Sequence, residues 1–171
     1  MKTPPWPVTR LITPLKDAFY AAPLGVYALE DDLQRALETY IGQHFFQHEV
    51  RAYLHSETEP VIGPDFGKWN PDYVLGCGET KIAVELKFFH EGNSTNHRAE
   101  LARGLGQCMV YADDYDAAVL LVVHQLHRKP RRLHRWGFVD SADSVPSPIM
   151  LRDPAIKRRG WLYGFDRWNK I

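Results

Sequence analysis

The stretch PDYVLGCGETKIAVELKFF, from Pro71 to Phe89, decides how this chain folds. Its first residues, 71–75, have the composition of a short strand, and the glycines at 76 and 78 predict a turn. Residues 80–89 then alternate between apolar and polar types, which predicts a longer strand with two different faces. The apolar face consists of Ile82, Val84, Leu86 and Phe88, and the opposite face of Lys81, Ala83, Glu85 and Lys87. The stretch therefore predicts a β-hairpin with one face in the core.

Helical periodicity flanks this hairpin on both sides. Apolar residues recur at helical spacing over 28–46 and again over 97–112. Alternation predicts a half-buried strand over 50–55, and the unbroken apolar run at 117–123 is typical of a strand covered on both faces. Because a helix connects the hairpin to this last strand, the two should run parallel. The predicted fold class is α/β, a central mixed β-sheet flanked by helices.

Proline and glycine mark the boundaries of this core. Residues 1–27 are expected to be an extended lead-in, because four prolines among the first 14 residues remove amide donors. Residues 56–70 are expected to be a loop. The core is assigned to 28–124, and residues 125–171 are assigned to a basic C-terminal extension packed on the same domain. Within that extension, short strands are predicted at Trp136–Val139 and Trp161–Phe165.

Composition narrows the class of protein. The chain has 171 residues, of which 44% are hydrophobic and 25% are charged, as in a globular domain with its own core. No apolar run is long enough to cross a membrane, and the N-terminus lacks the apolar segment of a secretory signal. We therefore expect no membrane partner and a cytoplasmic location. Two cysteines, Cys77 and Cys108, exclude a disulfide scaffold and a cysteine-rich zinc module.

Charge is distributed unevenly along the chain. Residues 1–124 hold 10 Lys+Arg against 17 Asp+Glu, whereas 125–171 hold 11 against 4, so net charges of −7 and +7 cancel. A basic run precedes Trp136, and basic residues next to aromatic ones suit phosphate contact with base stacking. A solvated surface is the alternative. The run comprises His127, Arg128, Lys129, Arg131, Arg132, His134 and Arg135, and a second cluster comprises Lys157, Arg158 and Arg159.

The charged face of the hairpin carries the candidate chemistry. Glu85 and Lys87 lie two residues apart and so share a face of the strand, and the hairpin brings Asp72 within reach of them. We expect these side chains to line a surface cleft. Two carboxylates suit Mg²⁺, and a lysine beside them can hold the attacking water and offset phosphate charge. A solvated ion pair on an exposed sheet face is the alternative interpretation.

This pattern resembles the PD-(D/E)xK nuclease superfamily, which has the restriction-endonuclease-like fold. Pro71-Asp72 matches its first motif and Glu85-Leu86-Lys87 its second, and residues 28–123 follow its order of helix, three strands, helix and strand. The resemblance implies Asp72, Glu85 and the carbonyl of Leu86 as metal ligands and Lys87 as the catalytic lysine. We expect Mg²⁺ as the cofactor, with Mn²⁺ able to replace it.

Both helices offer further candidates. Many members of the superfamily add a glutamate from the first helix, and Glu30 and Glu38 are the candidates. A helical wheel favours Glu30, at the edge of the apolar stripe, although its position also suits a partner of the helix dipole. Some exonuclease-like members carry a glutamine and a tyrosine in the second helix, which Gln107 and Tyr111 match. These two could contact substrate or lie on a solvated face, and Gly104 on the same stripe would let a backbone approach.

The expected activity is Mg²⁺-dependent hydrolysis of phosphodiester bonds, with DNA favoured over RNA, in restriction, repair or mobile-element biology. In this interpretation Asp72, Glu85, Lys87, Glu30 and Gln107 form the catalytic set. Arg128, Lys129, Arg131, Arg132 and Arg135, together with Tyr111, contact the nucleic acid. A homodimer is expected if both strands are cut. The alternative is a catalytically inactive module of the same fold that binds nucleic acid or a protein partner.

Overall fold

A computed structural model describes residues 6–46, 51–54, 61–62, 68–91, 97–127 and 160–171. Within these ranges no helix is long and apolar enough to cross a membrane. The helices and strands follow in the order α1 (Trp6–Ala21), α2 (Glu30–Phe46), β1 (Arg51–Leu54), β2 (Val61–Ile62), β3 (Lys68–Trp69), β4 (Tyr73–Cys77), β5 (Thr80–His90), α3 (His97–Asp114), β6 (Ala117–Gln125) and β7 (Trp161–Asn169).

The main sheet has five strands in the order β1-β4-β5-β6-β7. Strand β4 is antiparallel to both β1 and β5, while β5, β6 and β7 are parallel to one another. The predicted α/β class with a mixed sheet is confirmed, and so is the parallel crossover through α3. A separate pair, β2 with β3, forms inside the region 56–70 that was expected to be a loop. Two-residue strands are too short to produce an alternating pattern in the sequence.

Helices cover both faces of the main sheet. The apolar face of β5 packs with α1 and α2 in one cluster, and the other face packs with α3 in a second cluster. The division of β5 into two faces is therefore as predicted. However, the face that carries Glu85 and Lys87 lies beneath α3, because Ala83, Leu120 and Val122 on that face are apolar and contribute to the second cluster. This three-layer arrangement puts the charged pair in the interior.

The N-terminal segment that was expected to be an extended lead-in contains a helix, α1. It buries an apolar stripe at helical spacing against the sheet: Val8, Leu11, Ile12, Leu15, Ala18 and Phe19. Pro14 lies inside the helix and costs about 3 kcal/mol there. Each large apolar side chain contributes about 1.5–3 kcal/mol when buried, so the stripe outweighs the proline. The prediction was wrong because it weighted the prolines above the periodicity.

Part of the expected C-terminal extension is a strand of the main sheet, β7. The strand predicted at Trp161–Phe165 exists, runs on to Asn169 and pairs with β6 over nine residues. Residues 161–169 thus belong to the main sheet, and Leu162, Tyr163 and Phe165 are buried in its two core clusters. The strand predicted at 136–139 and the basic residues 128–135 and 157–159 lie outside the described residues.

Candidate active site at the open edge of β5

Strand β5 is longer than its partner β4, and this difference creates the site. Pairing with β4 ends at Tyr73↔Val84, while β5 continues to His90. Past that point two backbone amides of β5 donate to side chains instead of a strand: Leu86 N to Asp72 Oδ2 at 2.6 Å, and Phe88 N to Glu30 Oε2 at 2.8 Å. Two carboxylates from different elements therefore meet where the β-ladder stops.

A buried ion pair adjoins this edge. Lys87 Nζ lies 2.7 Å from Glu85 Oε1 and donates to the carbonyl oxygen of Leu86 at 3.0 Å. It also lies 4.0 Å from Glu30 Oε1. Glu85 is 2% exposed and Lys87 8%, so the expectation that both line a surface cleft was wrong. The shared face was predicted correctly, but its cover by α3 was not.

Burial raises the pKa values of Glu30 and Glu85, and the surplus of carboxylates over the single cation adds to the shift. Burial, followed by the charge of Asp72, raises the pKa of Glu85 to about 7 even though Lys87 opposes the shift. Burial also raises the pKa of Glu30. Burial alone would lower the pKa of Lys87, but the charges of Glu85 and Glu30 raise it on balance. Lysine therefore stays protonated at neutral pH, and Glu85 is held close to its titration point.

Glu30 and Glu38 occupy different places. Glu30 begins α2 and reaches both Lys87 and the Phe88 amide. Glu38 lies eight residues on, about 12 Å along the helix axis, where its charge adds to the effect of burial in raising the pKa of Tyr73. The structure brings Glu30 to the lysine, as the helical wheel favoured.

Gln107 and Tyr111 connect α3 to the same carboxylate. The hydroxyl of Tyr111 donates to Glu85 Oε2 at 3.3 Å and is hydrogen-bonded to the Gln107 side chain. Burial, and then the charge of Glu85, raise the pKa of Tyr111. Tyr111 has no exposed surface, so it does not offer the nucleic-acid contact that was expected of it. In this structure its hydroxyl orients Glu85.

The oxygen atoms present are of the kind that Mg²⁺ prefers. Asp72, Glu85 and the Leu86 carbonyl form a set of hard oxygen donors at one strand edge, and the surplus negative charge around Lys87 would favour a cation. Within the described ranges, however, no group of three or more His, Cys, Asp or Glu side chains is arranged to hold a metal ion. Each oxygen of Glu85 already accepts a hydrogen bond from a protein donor, and each keeps a further lone pair with which it could bind a metal.

Several features of the site were not anticipated. Tyr111 was not expected to bond Glu85, because sequence spacing does not tell which strand residue lies under a given helix turn. A backbone was expected to approach α3 at Gly104. In the structure the side chain of Lys87 approaches there instead. The proposed contacts Arg128, Lys129, Arg131, Arg132 and Arg135 lie outside the described residues, so they stay predictions.

Comparison with known proteins does not identify a relative. No protein-family model matches the chain, and a search of curated proteins finds no similar sequence. The geometry of the site therefore has to carry the functional argument.

Proposed function

We propose that this protein is a metal-dependent nuclease of the PD-(D/E)xK type that hydrolyses phosphodiester bonds in DNA. The observation that carries the proposal is the convergence of Asp72, Glu85 and Glu30 around Lys87 at the open edge of β5. Strongly shifted ionisable groups brought together in this way are typical of functional sites.

The order of elements supports a restriction-endonuclease-like core. Helix α2, strands β1, β4 and β5, helix α3 and strand β6 follow the order of helix, three strands, helix and strand. The two motifs fall at its centre, since Asp72 immediately precedes β4 and Glu85 to Lys87 lie within β5. In this interpretation α1 and β7 are additions at the two ends of the core.

The proposed metal would be held by Asp72, Glu85 and the Leu86 carbonyl. Bound there, Mg²⁺ would polarise the phosphate and lower the pKa of a coordinated water. Lys87 would stabilise negative charge that develops on the phosphate, because its ammonium is held by Glu85 and Leu86 before the substrate arrives. Glu30 would keep the lysine oriented from the other side, and Tyr111 would fix the rotamer of Glu85.

A purely structural role for the carboxylates is the main competing explanation. At the other end of β5, Asp116 Oδ2 accepts from the Lys81 amide at 2.9 Å and so caps a strand amide away from Lys87. Asp72 and Glu30 cap amides in the same way. Glu85 does not: it binds no backbone amide among its described partners, and it is buried next to another carboxylate. Burying a charge there is costly, which favours a functional reason for it.

Single-turnover cleavage of supercoiled plasmid DNA tests the proposal. The wild-type protein should cut with Mg²⁺ or Mn²⁺ and not with EDTA. Asp72→Asn should lower the rate at least about a hundredfold, because it removes a charged ligand. Asp116→Asn is the matched control, since it alters an amide-capping carboxylate of the same strand, and it should cut at the wild-type rate.

Three outcomes would overturn the proposal in whole or in part. Equal rates for Asp72→Asn and the wild type would show that Asp72 is only a strand cap. Binding of DNA without cleavage in any divalent metal would identify the inactive binding module instead. Cleavage of single-stranded RNA but not of DNA would reassign the substrate.

A further inference from the structure

Helix α3 passes close to β5 at a glycine. Gly104 is buried, and a Cβ added to it would lie 3.1 Å from Lys87 Cγ, 3.2 Å from Lys87 Cε and 3.0 Å from Leu120 Cδ1. Such distances are shorter than ordinary van der Waals contact, so a neighbouring side chain would have to move. The aliphatic stem of Lys87 thus occupies the space that any other residue at 104 would need.

A second glycine in the same helix shows that this is a local requirement. Gly106 lies two residues further along α3, and a Cβ added there would meet no atom of the described residues within 4 Å. Glycine weakens a helix relative to alanine at either position. At Gly104 the weaker helix residue provides room for Lys87, whereas the surroundings of Gly106 impose no such need.

The position of the Lys87 stem determines where its ammonium lies. Lysine has a flexible four-carbon stem, and in this structure its amine reaches Glu85 Oε1 and the Leu86 carbonyl. Here the stem runs against the bare backbone of α3. A methyl group at 104 would force Cγ and Cε to shift by a few tenths of an ångström, and this shift would move the ammonium relative to both acceptors.

We propose that Gly104 is a positioning residue for Lys87: the absence of a side chain at 104 lets the lysine stem lie against α3 and holds its ammonium at Glu85 and Leu86. The catalytic consequence rests on the proposed nuclease function. The packing itself does not, so the two can fail separately.

The experiment is a double-mutant cycle with a matched control. Gly104→Ala and Gly106→Ala are each made in the wild type and in Lys87→Ala, which has no stem to obstruct. In the wild type, Gly104→Ala should lower the single-turnover rate about tenfold, because a displaced ammonium loses part of its contribution to the transition state, and should leave DNA binding in Ca²⁺ unchanged. Gly106→Ala should cut normally. In the Lys87→Ala background, adding Gly104→Ala should not lower the cleavage rate further.

Two measurements without cleavage keep the inference testable if the protein does not cut DNA. Gly104→Ala should lower the melting temperature relative to Gly106→Ala in the wild type, and this difference should vanish in Lys87→Ala. The NMR signals of the Lys87 εCH₂ group should shift in Gly104→Ala and not in Gly106→Ala. If the Gly104→Ala substitution prevents folding in the wild-type background but not in the Lys87→Ala background, the steric coupling is supported.

The inference is overturned by equal effects of Gly104→Ala in both backgrounds, which would assign the constraint to Leu120 or to the helix itself. It is also overturned if Gly104→Ala leaves the Lys87 signals and the cleavage rate as they are in the wild type, a result that would leave the nuclease proposal standing.

Discussion

Two groups of ionisable side chains have buried members, Glu85 and Lys87 in one and His124 in the other, and differ in how that burial is compensated. In the first, the acid–lysine cluster of Glu30, Asp72, Glu85 and Lys87, the lysine is hydrogen-bonded to Glu85 and lies 4.0 Å from Glu30. The second, the histidine pair of His97 and His124, packs on Phe89 with ring centroids 4.8 and 5.3 Å away. The Nε2 atoms of both histidines are buried without a hydrogen-bond partner in the described part of the chain.

The two groups show how a functional site differs from a polar residue that is only packed in the core. Burial favours the neutral form in both groups, so it raises the pKa of Glu85 to about 7 and lowers that of His124 to about 4. His124 can stay neutral at physiological pH and then behaves as an aromatic packing residue. Lys87 stays charged in the interior, next to three carboxylates, and the nearest of these, Glu85, is held close to its titration point. We take this retained charge as the mark of the functional group.

The largest expected effect is on the lysine of the acid–lysine cluster. Lys87→Met keeps the stem and removes the ammonium, so it should lower the single-turnover cleavage rate about 10²–10³-fold while binding of uncut DNA in Ca²⁺ changes little. His124→Phe, in the histidine pair, should cut at the wild-type rate. A Lys87→Met protein that binds poorly but cuts normally once bound would show that Lys87 only docks the substrate.

The two groups should give opposite pH dependences of stability, and Glu85 sets the first. Between pH 4.5 and 7 the folded protein keeps a proton that the unfolded chain has released, so the free energy of unfolding should fall as pH rises. At about 1.4 kcal/mol per pH unit, the loss is about 3 kcal/mol. Urea unfolding in EDTA should show this decline in the wild type and a flatter curve for Glu85→Gln. Equal pH slopes for the wild type and Glu85→Gln would show that Glu85 is already charged in the folded protein over this pH range.

His124 sets the second pH dependence, with the reverse sign. Between pH 6.5 and 4 the unfolded chain binds a proton that the folded protein excludes, because burial and the neighbouring His97 disfavour the charged ring. The free energy of unfolding should therefore fall as pH decreases, also by about 3 kcal/mol. His124→Phe should remove that part of the acid sensitivity in the same urea series. An unchanged acid limb would contradict the buried neutral histidine.

The smallest expected effect is that of removing the Tyr111 hydroxyl, compared with removing the hydroxyl of another buried tyrosine. Tyr111→Phe removes one hydrogen bond to Glu85, worth about 1 kcal/mol or about fivefold in rate. Tyr73→Phe is the control, because its hydroxyl donates to the Gln34 carbonyl at 2.8 Å. Both should lose similar stability, and Tyr111→Phe alone should cut more slowly. Equal rates for the two variants would remove Tyr111 from the site.

The sequence predicts those parts of the molecule whose pattern is local. Alternation in β5 identified its two faces. The hairpin was expected to bring Asp72 within reach of Glu85 and Lys87, and Asp72 accepts from the amide of Leu86, which lies between them in β5. Helix α1 was missed because proline is a strong local signal that packing overrode. The burial of Glu85 could not be foreseen, since it depends on which apolar residues of β6 and α3 surround it, and that is set by the tertiary fold.

A crystal structure of the protein grown with Mn²⁺ would test the central claim most directly. We predict an anomalous peak at the open edge of β5, bonded to carboxylate oxygens of Asp72 and Glu85 and to the carbonyl of Leu86, with the Lys87 ammonium still beside Glu85. The predicted bonds are about 2.0–2.2 Å long, as for a small divalent cation. Well-ordered crystals in saturating Mn²⁺ that show no peak between Asp72 and Glu85 would contradict the account.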